Sequence, residues 1–167
     1  MEKMVTIRDE RAEDADRISA LTSAAFAGAA HSSGTEAKIV EGLRRAGVLT
    51  ISMVAADPGI VGHVAFSPVT IDGATGRWYG LGPVSVLPGR QGQGVGSRLI
   101  REGLDRLARA GAEGCVVLGD PLYYARFGFE SDPGLKYGDV PPEYFQRLLL
   151  GGPPRSGEVT FHAAFDE

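Results

Sequence analysis

Cysteine occurs once in this chain, at Cys115. A single thiol cannot close an internal disulfide, so the core must hold the fold, and a reducing compartment is compatible with it. No apolar run approaches the ~18 residues that span a bilayer, and Met1 to Glu10 lack the long apolar centre of a secretory signal. Positive charge is not in excess: 17 basic against 21 acidic residues leave a formal charge of −4. Nothing here supports a general nucleic-acid or membrane-binding surface. There is no internal repeat, no Gly-X-Y period and no linker long enough to divide the chain into separate domains. One domain over residues 1–167, in the cytoplasm, is the expectation.

Glycine is what the chain has in abundance: 24 of 167 residues, about twice the usual share of ~7%. Six of them fall between Gly80 and Gly96. Clustered glycine in a domain with 43% hydrophobic residues points to backbone that turns tightly or approaches a ligand closely.

The apolar pattern sets the elements. Met4 to Arg8 reads as a strand, and Glu13 to Phe26 as an amphipathic helix through Ala15, Ile18, Leu21 and Ala25. Gly28 to Gly34 is a small, polar loop, followed by a helix from Thr35 to about Ala46 with Gly47 at its exit. Leu49 to Ala56, Ile60 to Thr70 and a run ending near Val86 form an antiparallel meander whose first turn is Asp57-Pro58-Gly59. A glycine-rich turn then opens a helix with Val95, Leu99, Ile100, Leu104, Leu107 and Ala108 on its apolar face. Gly114 to Gly119 is wholly apolar inside, as befits a strand buried on both faces. Strand, helix, buried strand makes a βαβ unit and hence a parallel pair. Pro121 to Phe127 is a short helical turn, Pro142 to Leu150 a C-terminal helix with proline at its start, and Gly157 to Phe165 a last strand.

Between Gly89 and Ser97, glycines let successive backbone N–H groups point into one volume at a helix N-terminus, which suits a phosphate. Arg90 and Arg98 would add to that field. Spacing narrows the ligand. Val95 stands where a Walker A loop needs lysine, and Gly92-x-Gly94 leads to Ser97 where a dinucleotide fingerprint needs a third glycine.

Gln91-x-x-Gly94-x-Gly96 fits another pattern. Leu81 to Ile100 resembles the acetyl-coenzyme A motif of the GCN5-related N-acetyltransferase (GNAT) superfamily, Q/R-x-x-G-x-G/A, at the start of a helix. Tyr124-Ala125-Arg126-Phe127-Gly128-Phe129 resembles that superfamily's Y-x-x-x-G-F signature. Leu81-Gly-Pro-Val-Ser-Val-Leu-Pro88 together with Val117-Leu-Gly-Asp-Pro121 resembles its YhbS-like bacterial branch. The order of elements agrees along nearly the whole chain. The resemblance implies an α/β GNAT fold: a mostly antiparallel central sheet of six to seven strands with a splayed parallel pair and flanking helices.

It also implies acetyl transfer from acetyl-CoA to a primary amine of a small molecule or peptide, by direct attack in a ternary complex. A non-catalytic acyl-CoA-binding or sensor module on the same fold is the alternative. Gln91, Gly92, Gln93, Gly94, Val95, Gly96 and Ser97 would hold the pyrophosphate. Val84, Ser85 and Val86 would pair with the pantetheine arm, beside a bulge made by Gly80, Gly82 and Pro83. Tyr124 is the candidate acid beside the sulfur, with packing as its plain structural reading. Base candidates are Glu36, His63 and Asp120. Each has a structural reading too: a first-turn acid, a sheet histidine and a cap on the Pro121 turn. Cys115 reads as packing. His31 and His162 have no partner spacing, and no metal is expected. Oligomeric state stays open, a homodimer among the options.

Overall fold

The computed structural model describes residues 5–27 and 35–166. The expected loop over 28–34, with His31, and Met4 at the start of the first strand lie outside the described residues. The chain divides into two compact units. The first is Met1–Phe66, Gly82–Gly103 and Ala163–Glu167; the second is Ser67–Leu81 and Leu104–His162.

The first unit holds β1 (Thr6–Asp9), α1 (Ala15–Phe26), α2 (Glu36–Arg45) and β2 (Ile51–Ala56). It also takes the leading part of β3 (Ile60–Ile71), the trailing part of β4 (Trp78–Val86) and the leading part of α3 (Val95–Arg109). β1 pairs antiparallel with β2, and β2 with β3, which places Val54 opposite His63. Ile18 of α1, Val40 of α2 and Val54 of β2 form one buried cluster, closed by Leu49 and Ile60. That is the helical periodicity of the sequence realised as a face laid on a sheet. α3 lies close to β3 because glycines make room. A Cβ on Gly62 would meet Val95 Cγ1 at 2.9 Å, and one on Gly103 would enter the ring of Phe66.

The second unit holds β5 (Gly114–Leu118), α4 (Pro121–Tyr124), β6 (Glu130–Ser131), β7 (Leu135–Lys136), β8 (Phe145–Leu149) and β9 (Gly157–Phe161). β5 pairs antiparallel with β8, and β8 with β6. β9 pairs antiparallel with β3 and parallel with β7. β4 and β5 make the parallel pair that the βαβ reading requires, over Trp78–Gly80 and Gly114–Val116. Val69, Ile71, Trp78, Val116, Leu135, Phe145 and Val159 form this unit's core. The α/β class, the mostly antiparallel sheet with its parallel pair and the flanking helices are as expected. The two strands beyond the expected seven, β6 and β7, are each two residues long, too short to leave a period in sequence.

One element differs outright. Pro142 to Leu150 is not a helix: Pro142–Tyr144 is a single 3-10 turn and Phe145–Leu149 is strand. The apolar spacing of Phe145, Leu148 and Leu149 suits a helix. But β5 is a buried central strand whose second edge needs partners for its N–H and C=O groups, and Phe145–Leu149 supplies all five residue pairs. The glycine bulge is also corrected in part. Gly80 is regularly paired with Val116 and is glycine because a Cβ there would sit 2.5 Å from Phe161 Cε2. Gly82, at φ +131°, is where the strand leaves regular geometry, ahead of a cis Gly82–Pro83 peptide.

Candidate active site

The glycine-rich turn begins with a 3-10 turn, Pro88–Arg90, and ends in α3. Gly92 and Gly94 have φ of +77° and +82°, the left-handed region that residues with a Cβ avoid. Apart from the chain neighbours, no atom of the described residues lies within 4 Å of a Cβ built at either, so the requirement is conformational and the space beside them is open. The first backbone bond of α3 runs from Arg98 N–H to the Gly94 carbonyl at 3.1 Å. The amides before it face the helix's N-terminal end, where the dipole favours an anion. Side chains brace the turn: Gln91 Nε2 donates to the Val86 carbonyl at 3.0 Å, and Arg90 Nε to Gln93 Oε1 at 3.0 Å. The arginines are less available than the sequence suggests. Arg90 pairs with Asp57 at 3.2 Å, and Arg98 donates to the Val5 carbonyl at 3.1 Å. The backbone is the anion-binding part, and an open glycine cradle fits a pyrophosphate.

Val84, Ser85 and Val86 close β4. Its parallel register with β5 stops at Gly80–Val116. Ser85 is buried and its hydroxyl donates to Thr22 Oγ1 of α1 at 3.3 Å, which leaves this residue's backbone as the group it can offer.

Tyr124 ends α4 and is held on several sides. Asp120 caps that helix, its Oδ1 accepting from Leu122 N–H at 2.9 Å. Gly128 takes φ +98° and terminates the following 3-10 turn. Phe129, buried, meets the Tyr124 ring edge-on at 6.0 Å, and Tyr123 meets it edge-on at 5.0 Å. The Y-x-x-x-G-F pattern therefore has a local cause: a left-handed glycine reverses the chain so that the final phenylalanine packs on the tyrosine. Under the ring lies Gly119, where a Cβ would come within 2.6 Å of Tyr124 Cε2. Burial pushes the Tyr124 phenol up to about 12, and Tyr123 and Asp120 add to the shift. It is protonated, and a hydrogen-bond donor, across the physiological range. Tyr123 instead lies beneath the Arg126 guanidinium, 4.4 Å from its ring centre.

The three base candidates separate. Asp120 is the helix cap described above. Glu36 is half-buried in the first turn of α2. His63 is fully buried and ends a relay that no sequence spacing announces. Arg44 grips Glu10 through Nε and Nη2 at 2.9 and 2.8 Å, Ser52 Oγ donates to Glu10 Oε1 at 2.6 Å, and His63 Nε2 lies 2.7 Å from Ser52 Oγ. Since the hydroxyl proton goes to Glu10, His63 Nε2 is the donor and Nδ1 carries the lone pair.

Burial holds His63 down at about 4, Arg44 adds to the lowering, and Glu10 opposes it. The unfolded chain takes up this proton near 6.5, so stability is lost as pH falls from there towards 4, by up to about 3 kcal/mol. Burial pushes Glu10 up, but Arg44 and Ser52 outweigh it and hold the carboxyl below its usual range. The stability it brings is lost as pH falls further. Urea midpoints should therefore drop between pH 7 and 4.5, and drop less steeply in His63→Gln; parallel slopes would refute the assignment.

Cys115 is buried, its thiol pushed up by desolvation, in line with packing. Among the described residues, no group of three or more His, Cys, Asp or Glu is placed to hold a metal ion, and no helix is long and apolar enough to cross a membrane. Tyr137 to Pro142, with Pro133, Leu135 and Phe145, line a cavity of about 460 Å³.

Residues 50–131 match a family model described as an acetyltransferase (GNAT) domain. The uncharacterized N-acetyltransferase YhbS of Escherichia coli K12 is 44% identical over 126 residues, 74% of this chain and 72% of that protein. A GNAT family acetyltransferase from Brucella melitensis, solved in complex with acetyl-CoA, is 51% identical with a TM-score of 0.88, over 99% of this chain and all of that one. The E. coli YhbS structure in complex with CoA has a TM-score of 0.91 at 36% identity, over 100% of this chain and 94% of that one.

Proposed function

This chain belongs to the GNAT family of acetyltransferases, and we propose that it moves an acetyl group from acetyl-CoA to a primary amine by direct attack in a ternary complex. The observation that carries the reading is Tyr124: a largely buried, neutral phenol on a seat that leaves no room for a Cβ beneath its ring. A module that only binds CoA needs no such donor.

Acetyl-CoA supplies an activated thioester; the chain's own groups do the rest. The amides from Gln91 to Ser97 hold the pyrophosphate, and the backbone of Val84 to Val86 aligns the pantetheine. A backbone N–H near Val84 polarises the carbonyl, because Pro83 has none to give. The carbon–nitrogen bond forms, the carbon–sulfur bond breaks, and the amine's proton leaves to a base. Glu36, half-buried in the first turn of α2, is our choice of base; His63 is enclosed.

Tyr124 donates a hydrogen bond to the sulfur as its charge grows. Full transfer from a phenol at about 12 to a thiolate whose thiol titrates at ~8.5 is uphill by about 5 kcal/mol. Donation during bond breaking, with later protonation from solvent, is therefore the cheaper course. The test is thiol release from acetyl-CoA with a panel of apolar and polar amines. Turnover should appear with at least one amine, and Glu36→Gln should lower kcat/KM by about a hundredfold. CoA binding without any turnover would favour the sensor alternative.

A further inference from the structure

Gln146 is a polar side chain that the core has no evident need for. It lies in β8, opposite Val117 of β5, with 2% of its surface exposed. Its Nε2 donates to the Gly119 carbonyl at 3.0 Å. Its Oε1 is buried and has no hydrogen-bond partner among the described residues. A buried carboxamide with one end unmatched costs stability relative to an apolar side chain of the same length. Gly119 is only half-buried, so water can reach its carbonyl if Gln146 is removed. Core packing alone gives no reason for glutamine here.

Its contact gives one. Gly119 is the residue under the Tyr124 ring. Its N–H donates to the Tyr144 carbonyl at 2.9 Å and its carbonyl accepts from Gln146. Both polar groups of this one residue are thus tied to the chain entering β8, just where β5 ends. Without the second tie, Gly119 is free to rotate its carbonyl, and the ring resting on it loses a fixed floor. Asp120, the next residue, caps the helix that carries Tyr124, so the same hold sets the direction of α4.

We infer that Gln146 is a positioning residue for the transfer reaction, which through Gly119 fixes the ring of Tyr124. This rests on Tyr124 acting at the sulfur. Displacement of a catalytic group by a fraction of an ångström costs rate while leaving distant binding contacts intact. The CoA cradle, built on other residues, should not feel it.

The experiment combines Gln146→Met, Gly119→Ala and Tyr124→Phe, with kcat, the KM for acetyl-CoA and the thermal midpoint measured on each. Gln146→Met should lower kcat about tenfold, with KM within about twofold and the midpoint unchanged or raised. Gly119→Ala, whose methyl pushes the ring directly, should lower kcat at least as much. In a Tyr124→Phe background Gln146→Met should have no further effect on kcat. Normal kcat in Gln146→Met beside an impaired Tyr124→Phe overturns the positioning role alone. A kcat loss that persists in the Tyr124→Phe background, or that tracks a fallen midpoint, also overturns it and makes Gln146 structural. Full activity of Tyr124→Phe removes the acid reading itself, and the inference with it.

Discussion

Tyr124→Phe should reduce kcat by about a hundredfold or more, with little change in the KM for acetyl-CoA. The substitution deletes one oxygen and keeps the ring. The edge-on contacts with Tyr123 and Phe129 and the packing over Gly119 are apolar, so the fold keeps them. What goes is the donor to the departing sulfur, an interaction that strengthens only as the carbon–sulfur bond breaks, and such losses fall on kcat. Positioned proton donors contribute roughly 10²–10⁴-fold. The upper end is not expected, because a phenol raised to about 12 donates a hydrogen bond more readily than it surrenders its proton. Tyr123→Phe serves as the control, since the Arg126 guanidinium lies over that ring; equal losses at the two positions would put the acid elsewhere.

Gly94→Val should strike the other parameter. At φ +82° a β-branched residue is strained by roughly 1–2 kcal/mol, and relief of that strain rotates the amides at the head of α3. The new side chain also fills the open side of the cradle. The KM and the Kd for CoA should rise about a hundredfold, with kcat at saturation within a few-fold of the original. Gly47→Val separates strain from binding. Gly47 has φ +72° and, among the described residues beyond its chain neighbours, nothing within 4 Å of a Cβ position, but it closes α2. It should lose similar stability and keep its affinity for CoA. Matching affinities for the two variants would take the pyrophosphate away from this loop.

Much of the fold is legible in the sequence because it is written locally. Asp57-Pro58-Gly59 turns β2 into β3. The apolar face of Val95 to Leu107 marks α3, and the unbroken Cys115-Val-Val-Leu118 marks a buried strand. The Gln91-x-x-Gly94-x-Gly96 spacing marks the turn in which Gly92 and Gly94 take positive φ, and the Y-x-x-x-G-F signature contains Gly128, which does the same. Interactions decided by distant partners are not legible. Phe145 to Leu149 has a helical pattern and becomes a strand because β5 needs an edge partner. Gly80 reads as a bulge and is a space for Phe161. Glu10, Arg44, Ser52 and His63 come from four separate elements or their flanks, so no spacing rule could join them. Gln146 lies inside the segment with the helical pattern, and only the β5–β8 register brings it to Gly119.

The most direct test of acetyl transfer is mass spectrometry of the amine panel after incubation with acetyl-CoA, run beside a measurement of released thiol. At least one primary amine should gain a single acetyl group in equal proportion to the thiol, and that product should fall about a hundredfold with Tyr124→Phe. CoA bound tightly, with no amine acetylated and thiol release no faster than without the protein, would contradict it.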